Sequence, residues 1–358
     1  APELLSKLVG VDLPYYQGGK DIPFKQHSSA IEAILSKHDC IPQEAVYVGS
    51  TTDDMRSARN GKLLFLNADW HAENSEYGFH FENPKDIARF IDCCCLGVGD
   101  WFWSLEQQSL RVYSIGPLAE YSRRYPEAAM YSADAKKAVK FDRGNLSFWG
   151  RLMAARIHFS GIGQESSYVC PYPGHKTDSN KMILTDSIKI VSGSLSAQYL
   201  HDFIVRHTNA QKSQTARQSN QPIDHTNQLN TIHLRRDPLK TGPLHKRYKK
   251  FPSIRGKTVL VIDDICTQGF SLEAARAFFE SKGAHVICIT WLKTPGNNDY
   301  QALTSITPNI NNHLKPYTNC SFTKSDYSYN RGIKNNNAPI EIATAFDSYE
   351  DWDWPNNL

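Results

Sequence analysis

The chain has 358 residues, with 40 Lys and Arg against 37 Asp and Glu, a formal net charge of +3 and a hydrophobic fraction of 40%. That apolar share suffices for a sizeable core over two domains, or one large domain with additions, and the near-neutral balance argues against a partner selected by bulk charge alone. No apolar run reaches membrane-spanning length, the opening APELLSKLVG lacks the order of a secretory signal, and none of the eight cysteines forms a C-x-x-C pair, so a cytoplasmic protein without a disulfide framework or zinc ribbon is expected.

From Lys25 onward, the pattern predicts a helix carrying Ile31, Ile34 and Leu35, then a short strand over Ala45–Val48. A loop from Gly49 to Asp54, a helix ending at Gly61 and a strand over Leu63–Leu66 follow. This succession resembles the C-terminal half of the haloacid dehalogenase (HAD) family, which places a lysine before the helix and an acidic loop after the strand. The resemblance implies that Lys25, Gly49 and Asp54 fill the lysine, glycine and Mg²⁺-side acid positions. Ser50 stands where the first acid of that loop is usual, and no D-x-D precedes Lys25. HAD phosphatases work through an aspartyl-phosphate, so this segment has no nucleophile. Residues 1–92 are therefore expected to form a partial, non-catalytic HAD-like Rossmannoid segment.

Next comes Cys93-Cys94-Cys95, whose adjacent side chains cannot easily share one tetrahedral metal; buried, reduced thiols are expected. Trp101, Phe102, Trp103 and Leu105 predict a buried edge. Tyr131, Lys136, Lys137, Val139, Lys140 and Phe141 precede a helix over Phe148–Ile157. SYVCPYPGH at 167–175 reads as a strand that ends in a Pro- and Gly-rich turn. Leu195, Tyr199, Leu200, Phe203 and Ile204 predict a helix over 194–205. Residues 206–230 have no apolar period and are expected to be a mobile loop.

The most informative stretch is VLVIDDICTQGFS, residues 259–271. Val259–Ile262 predicts a buried parallel strand with Asp263 and Asp264 at its C-terminal end. A turn containing Gly269 and two hydroxyl residues leads to a helix whose face carries Leu272, Ala275 and Phe279. Gly283 ends that helix, and Val286–Ile289 begins another strand. Strand, turn, helix and strand make a βαβ unit, and ligands of such sheets lie beyond the strands' C-terminal ends. The turn offers N–H groups and a helix dipole to a phosphate, whereas two carboxylates beside it suit sugar hydroxyls or Mg²⁺.

Four apolar residues, two acids and T-x-G-x-S resemble the motif with which type I phosphoribosyltransferases bind phosphoribosyl pyrophosphate (PRPP). The resemblance implies an α/β fold, a parallel sheet flanked by helices with a hood, and attack at C1 of PRPP with loss of pyrophosphate. It implies that Asp263 and Asp264 hold the ribose hydroxyls and that Cys266, Thr267, Gln268, Gly269, Phe270 and Ser271 wrap the 5′-phosphate. Pro171, Tyr172, Pro173, Gly174, His175 and Lys176 would form the pyrophosphate loop. RHTNAQ at 206–211 is similar to an R-x-T-x-x-Q segment of ComF-like members, which makes Arg206, Lys212 and Arg217 candidate cations on a closing flap. Mg²⁺ would arrive with PRPP; no metal ligand is assigned. Thr267 stands where 6-oxopurine salvage enzymes carry an Asp, which argues against simple hypoxanthine or guanine salvage.

Residues 235–257 form a basic run with Tyr248 and Phe251 interleaved, and 347–354 form an acidic end with Trp352 and Trp354. Either is a candidate surface for a protein or nucleic-acid partner, or the two could meet. The expected organisation is a HAD-like segment (1–92), a phosphoribosyltransferase domain (93–298) and a polar C-terminal extension (299–358). The alternative to an enzyme is a non-catalytic PRPP or nucleotide sensor, or an effector subunit of a stress or antiphage system of the retron-like kind.

Overall fold

The computed structural model describes all residues except 1–5, 8–9, 72–78, 97–99, 108, 142, 178–186, 189–190, 192–196, 212–222, 241–245, 297 and 355–358. Its first part comprises α1 (Ser28–Lys37), β1 (Val46–Gly49), α2 (Thr52–Asn60), β2 (Leu64–Ala68), β3 (Phe79–Phe81) and α3 (Pro84–Phe90). The strands make a parallel sheet in the order β1-β2-β3. Ile31 and Leu35 of α1 and Met55 and Ala58 of α2 bury with Phe65 in a small core of their own, as the apolar spacing predicts. Thr51 caps α2 and Asn83 caps α3, each accepting from the N–H three residues on. A π-helical turn, Ile91–Cys95, buries Cys93 and Cys94 and half-buries Cys95. All eight cysteines are free, and burial raises the Cys93 thiol to about 11 and that of Cys95 to about 12.

The second part is built on β4 (Trp103–Gln107), β5 (Leu110–Pro117), α4 (Ala129–Phe141), α5 (Leu146–Phe159), α6 (Ile162–Glu165), β6 (Ser166–Pro171), β7 (Gln198–Tyr199), β8 (Ile204–Arg206), α7 (Thr226–Leu229), β9 (Ile232–Leu234), β10 (Thr258–Cys266), α8 (Phe270–Glu280) and β11 (His285–Lys293). Six strands form one sheet in the order β4-β5-β11-β10-β6-β7. All pairs are parallel except β4 with β5. Val259–Ile262 and Val286–Leu292 are buried throughout, as central strands covered on both faces must be. The Trp101–Leu105 cluster is a buried edge, as its aromatics suggest. The chain is thus mixed α/β with parallel sheets in both parts.

Three expectations need correction. The helix predicted over 194–205 is absent from the described residues 197–206, which hold β7 and β8 instead. Tyr199 pairs with Val169, the Leu200 N–H bonds the Val169 carbonyl at 2.9 Å, and Phe203 packs on Tyr168, Phe251 and Phe279. Apolar residues at these spacings serve a short edge strand as well as a helix, and the sheet edge decides. The loop expected over 206–230 is ordered at both ends, by β8 and by α7, with Ala210, His225 and Leu229 buried.

Finally, the polar extension from 299 adds β12 (Tyr300–Thr307) and β13 (Ser321–Tyr327), an antiparallel hairpin, and α9 (Ala338–Glu350). Tyr300, Tyr329, Ala338, Ile342 and Tyr349 join the main core. The acidic end lies against α3 and the π turn, not against the basic run. Lys85 pairs with Asp353 at 2.8 Å, and the Trp352 indole donates to Asp92 at 2.6 Å.

Candidate functional site

The sheet order sets the position of the site. From β10 the chain crosses by α8 to β11 on one side, whereas β6 is followed by β7 on the other. The carboxyl ends of β10 and β6 therefore flank a crevice at a topological switch point. Asp263–Ser271 lies on one wall and Pro171–Lys176 on the other, joined by the Tyr172 N–H donating to the Ile262 carbonyl at 2.8 Å.

On the first wall Asp263 and Asp264 are both buried. Asp263 accepts from the Asp264 N–H at 3.0 Å, and Asp264 from the Ile265 N–H at 2.6 Å, so neighbouring backbone orients both carboxylates. Gly269 then takes φ +85° as N-cap of the 11-residue α8. A Cβ there would lie 2.2 Å from the Tyr300 ring, so both the left-handed backbone and the close approach require glycine. Behind the turn, fully buried Glu273 accepts from Arg276, from the Tyr300 hydroxyl at 2.7 Å and from the Leu303 N–H at 2.7 Å. This buried ion pair fastens the hairpin to α8.

Lys293 ends β11 and is fully buried. Its ammonium donates to the carbonyls of Thr267 at 2.6 Å and Asn298 at 2.7 Å, under the rings of Trp103 and Tyr329. Burial lowers its pKa. Lys293 thus fixes the Thr267 carbonyl at the start of the turn that leads into α8. The sequence holds a signal for it, a charged residue closing an apolar strand just before a Thr-Pro-Gly turn.

On the second wall Arg206 is buried and every guanidinium nitrogen donates. Nε reaches the Gly174 carbonyl at 2.5 Å, Nη1 the Thr231 hydroxyl at 2.5 Å, and Nη2 Gln228 Oε1 at 2.9 Å. The Tyr172 hydroxyl also donates to Gln228, at 2.7 Å. Burial raises the Tyr172 pKa, against the pull of Arg206, with Asp263 and Ser271 also in electrostatic reach. One network therefore ties the 171–176 turn to α7 and, through the Tyr172 N–H and the Ile262 carbonyl, to β10. Ala210 bonds the His175 carbonyl at 2.8 Å, and Gln211 and Asn227 bond each other at 2.9 and 3.0 Å. Lys176 is exposed at the outer end of the turn. Lys212 and Arg217 lie outside the described residues.

His225 was not singled out by the sequence. Its ring is fully buried between Phe270 and Phe322, with centroids 4.7 and 4.8 Å away. Burial lowers its pKa to about 4, with Asp224 opposing and Lys324 reinforcing the fall.

The first part has a separate acidic site. Asp54 sits in the first turn of α2, bonded to the Ser50 N–H at 3.1 Å, to the Thr51 hydroxyl at 2.7 Å and to the Tyr47 hydroxyl at 3.1 Å, and ion-paired with Lys25. Burial opposes its ionisation, but Lys25, Thr51 and Ser50 together hold it well below the usual carboxylate range.

Residues 190–305 match the family model of the phosphoribosyl transferase domain. The matched region takes in Arg206, α7, the Asp263–Ser271 wall, α8, β11 and most of β12. Two crystal structures of a hypoxanthine phosphoribosyltransferase from Staphylococcus aureus also show likeness. The tetragonal form is 15% identical over 48% of this chain and 69% of that one, with a TM-score of 0.24; the orthorhombic form is 17% identical over 41% and 62%, with a TM-score of 0.23. No curated protein matched.

Proposed function

We propose that this protein is a type I phosphoribosyltransferase, which transfers ribose 5-phosphate from PRPP to an unidentified acceptor and releases pyrophosphate. The observation that carries this reading is the pair of backbone-oriented carboxylates followed by the glycine-capped turn of α8, at a switch-point crevice. Asp263 and Asp264 would accept hydrogen bonds from the ribose 2′- and 3′-hydroxyls. The N–H groups of 267–271 and the α8 dipole would hold the 5′-phosphate. Pyrophosphate would lie along 171–176, with Lys176 and the cations of the flap, Lys212 and Arg217, reaching it. Arg206 holds that turn in shape rather than meeting the leaving group, because its nitrogens are engaged by protein acceptors. Mg²⁺ would arrive with PRPP, held by its phosphate oxygens, and Asp263 and Asp264 would be the hard protein ligands available to it. Bound there, it would neutralise charge on the leaving pyrophosphate. Catalysis would rest on positioning and charge stabilisation.

Incubation with PRPP and Mg²⁺ plus candidate acceptors should release pyrophosphate, and Asp263→Asn with Asp264→Asn should abolish it while the fold survives. Calorimetry that shows undiminished PRPP affinity in that double variant would overturn the site. One observation favours a second reading, binding without turnover: both buried cations at the crevice, Arg206 and Lys293, are engaged by protein acceptors. Tight PRPP binding without pyrophosphate release in any acceptor screen would decide for it. We read the first part as a HAD-like half-domain without catalysis, in which Ser50 stands where the first acid of the loop is usual and Asp54 is engaged by Lys25, Tyr47 and Thr51.

A further inference from the structure

The chain's charge is unevenly divided. Residues 235–257 hold nine Lys and Arg against one Asp, a local charge of +8 (9 − 1), so the remainder of the chain carries −5 (3 − 8). Folding gathers this charge at the amino end of the main sheet, the pole opposite the crevice. Lys257 immediately precedes β10 and His285 opens β11, bonded to each other through the His285 N–H and the Lys257 carbonyl at 2.9 Å. The Arg255 side chain lies along Gly283, next to exposed Lys282. Asp202 pairs with Arg235 at 3.1 Å and Arg247 at 2.9 Å. Lys246, Lys249, Lys250, Arg255 and Lys257 are exposed and make no ion pair among the described residues. The acidic end of the chain is not their partner, because it is held at α3.

Aromatic residues stand among these cations. Lys240 lies 4.2 Å over the Tyr248 ring and Lys257 5.5 Å over Tyr168. Half-buried Phe251 borders a cleft of about 480 Å³, floored by Pro252 and Ile254 and flanked by Arg255 and Lys282. An acidic protein would use the cations alone. An anionic membrane would need exposed apolar side chains beside them, and between 235 and 285 no large hydrophobic residue among those described is exposed. Cations spread over several elements, with an open cleft beside half-buried Phe251 among them, suit a flexible chain of phosphates with unpaired bases.

We propose that this pole binds single-stranded nucleic acid, with one base seated in the cleft between Phe251 and Lys282. This inference does not depend on PRPP chemistry at the opposite pole. Fluorescence anisotropy with 20-nucleotide poly(U) and poly(dT), titrated between 50 and 200 mM salt, tests it on the full chain. Five phosphate contacts give a slope of about −3.5 in log K against log salt, so affinity should fall about 100-fold across that range. Lys249→Glu with Lys250→Glu, both exposed, should weaken binding at least tenfold with an unchanged melting temperature. Asp263→Asn with Asp264→Asn should bind the oligonucleotides like the parent. Absence of binding at 50 mM salt, parent-like binding by the Lys249 and Lys250 variant, or displacement by poly-glutamate as effective as by unlabelled oligonucleotide would each overturn the proposal.

Discussion

Gly269→Ala isolates what the phosphate turn requires of its backbone. At φ +85° an alanine pays the left-handed penalty of about 1–2 kcal/mol. Its Cβ would also lie 2.2 Å from Cε2 and 2.6 Å from Cζ of Tyr300. That ring is fully buried and its hydroxyl is anchored 2.7 Å from Glu273, which also holds Arg276 and the Leu303 N–H. It cannot swing aside without breaking its buried hydrogen bond to Glu273, so overpacking adds about 1–3 kcal/mol. The expected total is about 2–5 kcal/mol. Gly256→Ala is the control. That glycine has φ +68°, and a methyl group there would meet nothing within 4 Å, so only the backbone cost of about 1–2 kcal/mol applies. Urea titrations of the two variants, compared by midpoint at equal slope, give the collision alone as their difference. Gly269→Ala should also weaken PRPP binding in calorimetry, and Gly256→Ala should not. Equal destabilisation in the two variants would refute the collision, and parent-like PRPP affinity in Gly269→Ala would refute the role of the turn.

The other predictions concern groups away from that glycine. His225 is neutral in the fold, its pKa down at about 4 from an ordinary 6.5; its stabilisation is therefore complete above pH 6.5 and is lost as the pH falls toward 4, by about 3 kcal/mol at most. His225→Phe should flatten part of this fall in a pH series of urea midpoints; His313, lowered to about 4 by burial and Lys282, and His158 and His207, also lowered by burial, add to the rest, and an unchanged profile would exclude His225. Arg151→Ala should cost about 3 kcal/mol, because Asp86 loses a bidentate partner at 2.6 Å and retains Arg89; a change below about 0.5 kcal/mol in thermal unfolding would contradict this. Asp54→Ala should cost about 1–2 kcal/mol through loss of the carboxylate that closes the α2 capping box and pairs with Lys25, and the parent should release no phosphate from a generic ester; Mg²⁺-dependent release that disappears in Asp54→Ala would show a working HAD site.

Much of the candidate site is legible because it is local. Val259–Ile262, the paired acids, Gly269 and the Leu272–Phe279 face are a contiguous strand, turn and helix, and each follows from neighbours in sequence. The α1–β2 succession is legible for the same reason. What the sequence leaves open depends on contacts between distant residues. Tyr199 is a strand residue because Val169 offers an unpaired edge. Arg206 carries the charge expected of a leaving-group cation, yet Gly174, Gln228 and Thr231 engage its nitrogens, and no spacing in the sequence reveals acceptors that lie 22 to 32 residues away. Lys293 reaches the Thr267 carbonyl only because β11 ends beside the turn, and His225 packs on Phe270 only because the chain before α7 passes over the start of α8. The tail beyond 299 looks polar because its apolar residues are sparse, and it joins the core because Tyr300, Ile342 and Tyr349 fill space left by other elements. The sequence alone determined the local geometry of the turn, since short-range backbone geometry and residue type suffice for it; the tertiary structure decided which charges are buried and held by protein acceptors, because burial and pairing are properties of residues brought together from far along the chain.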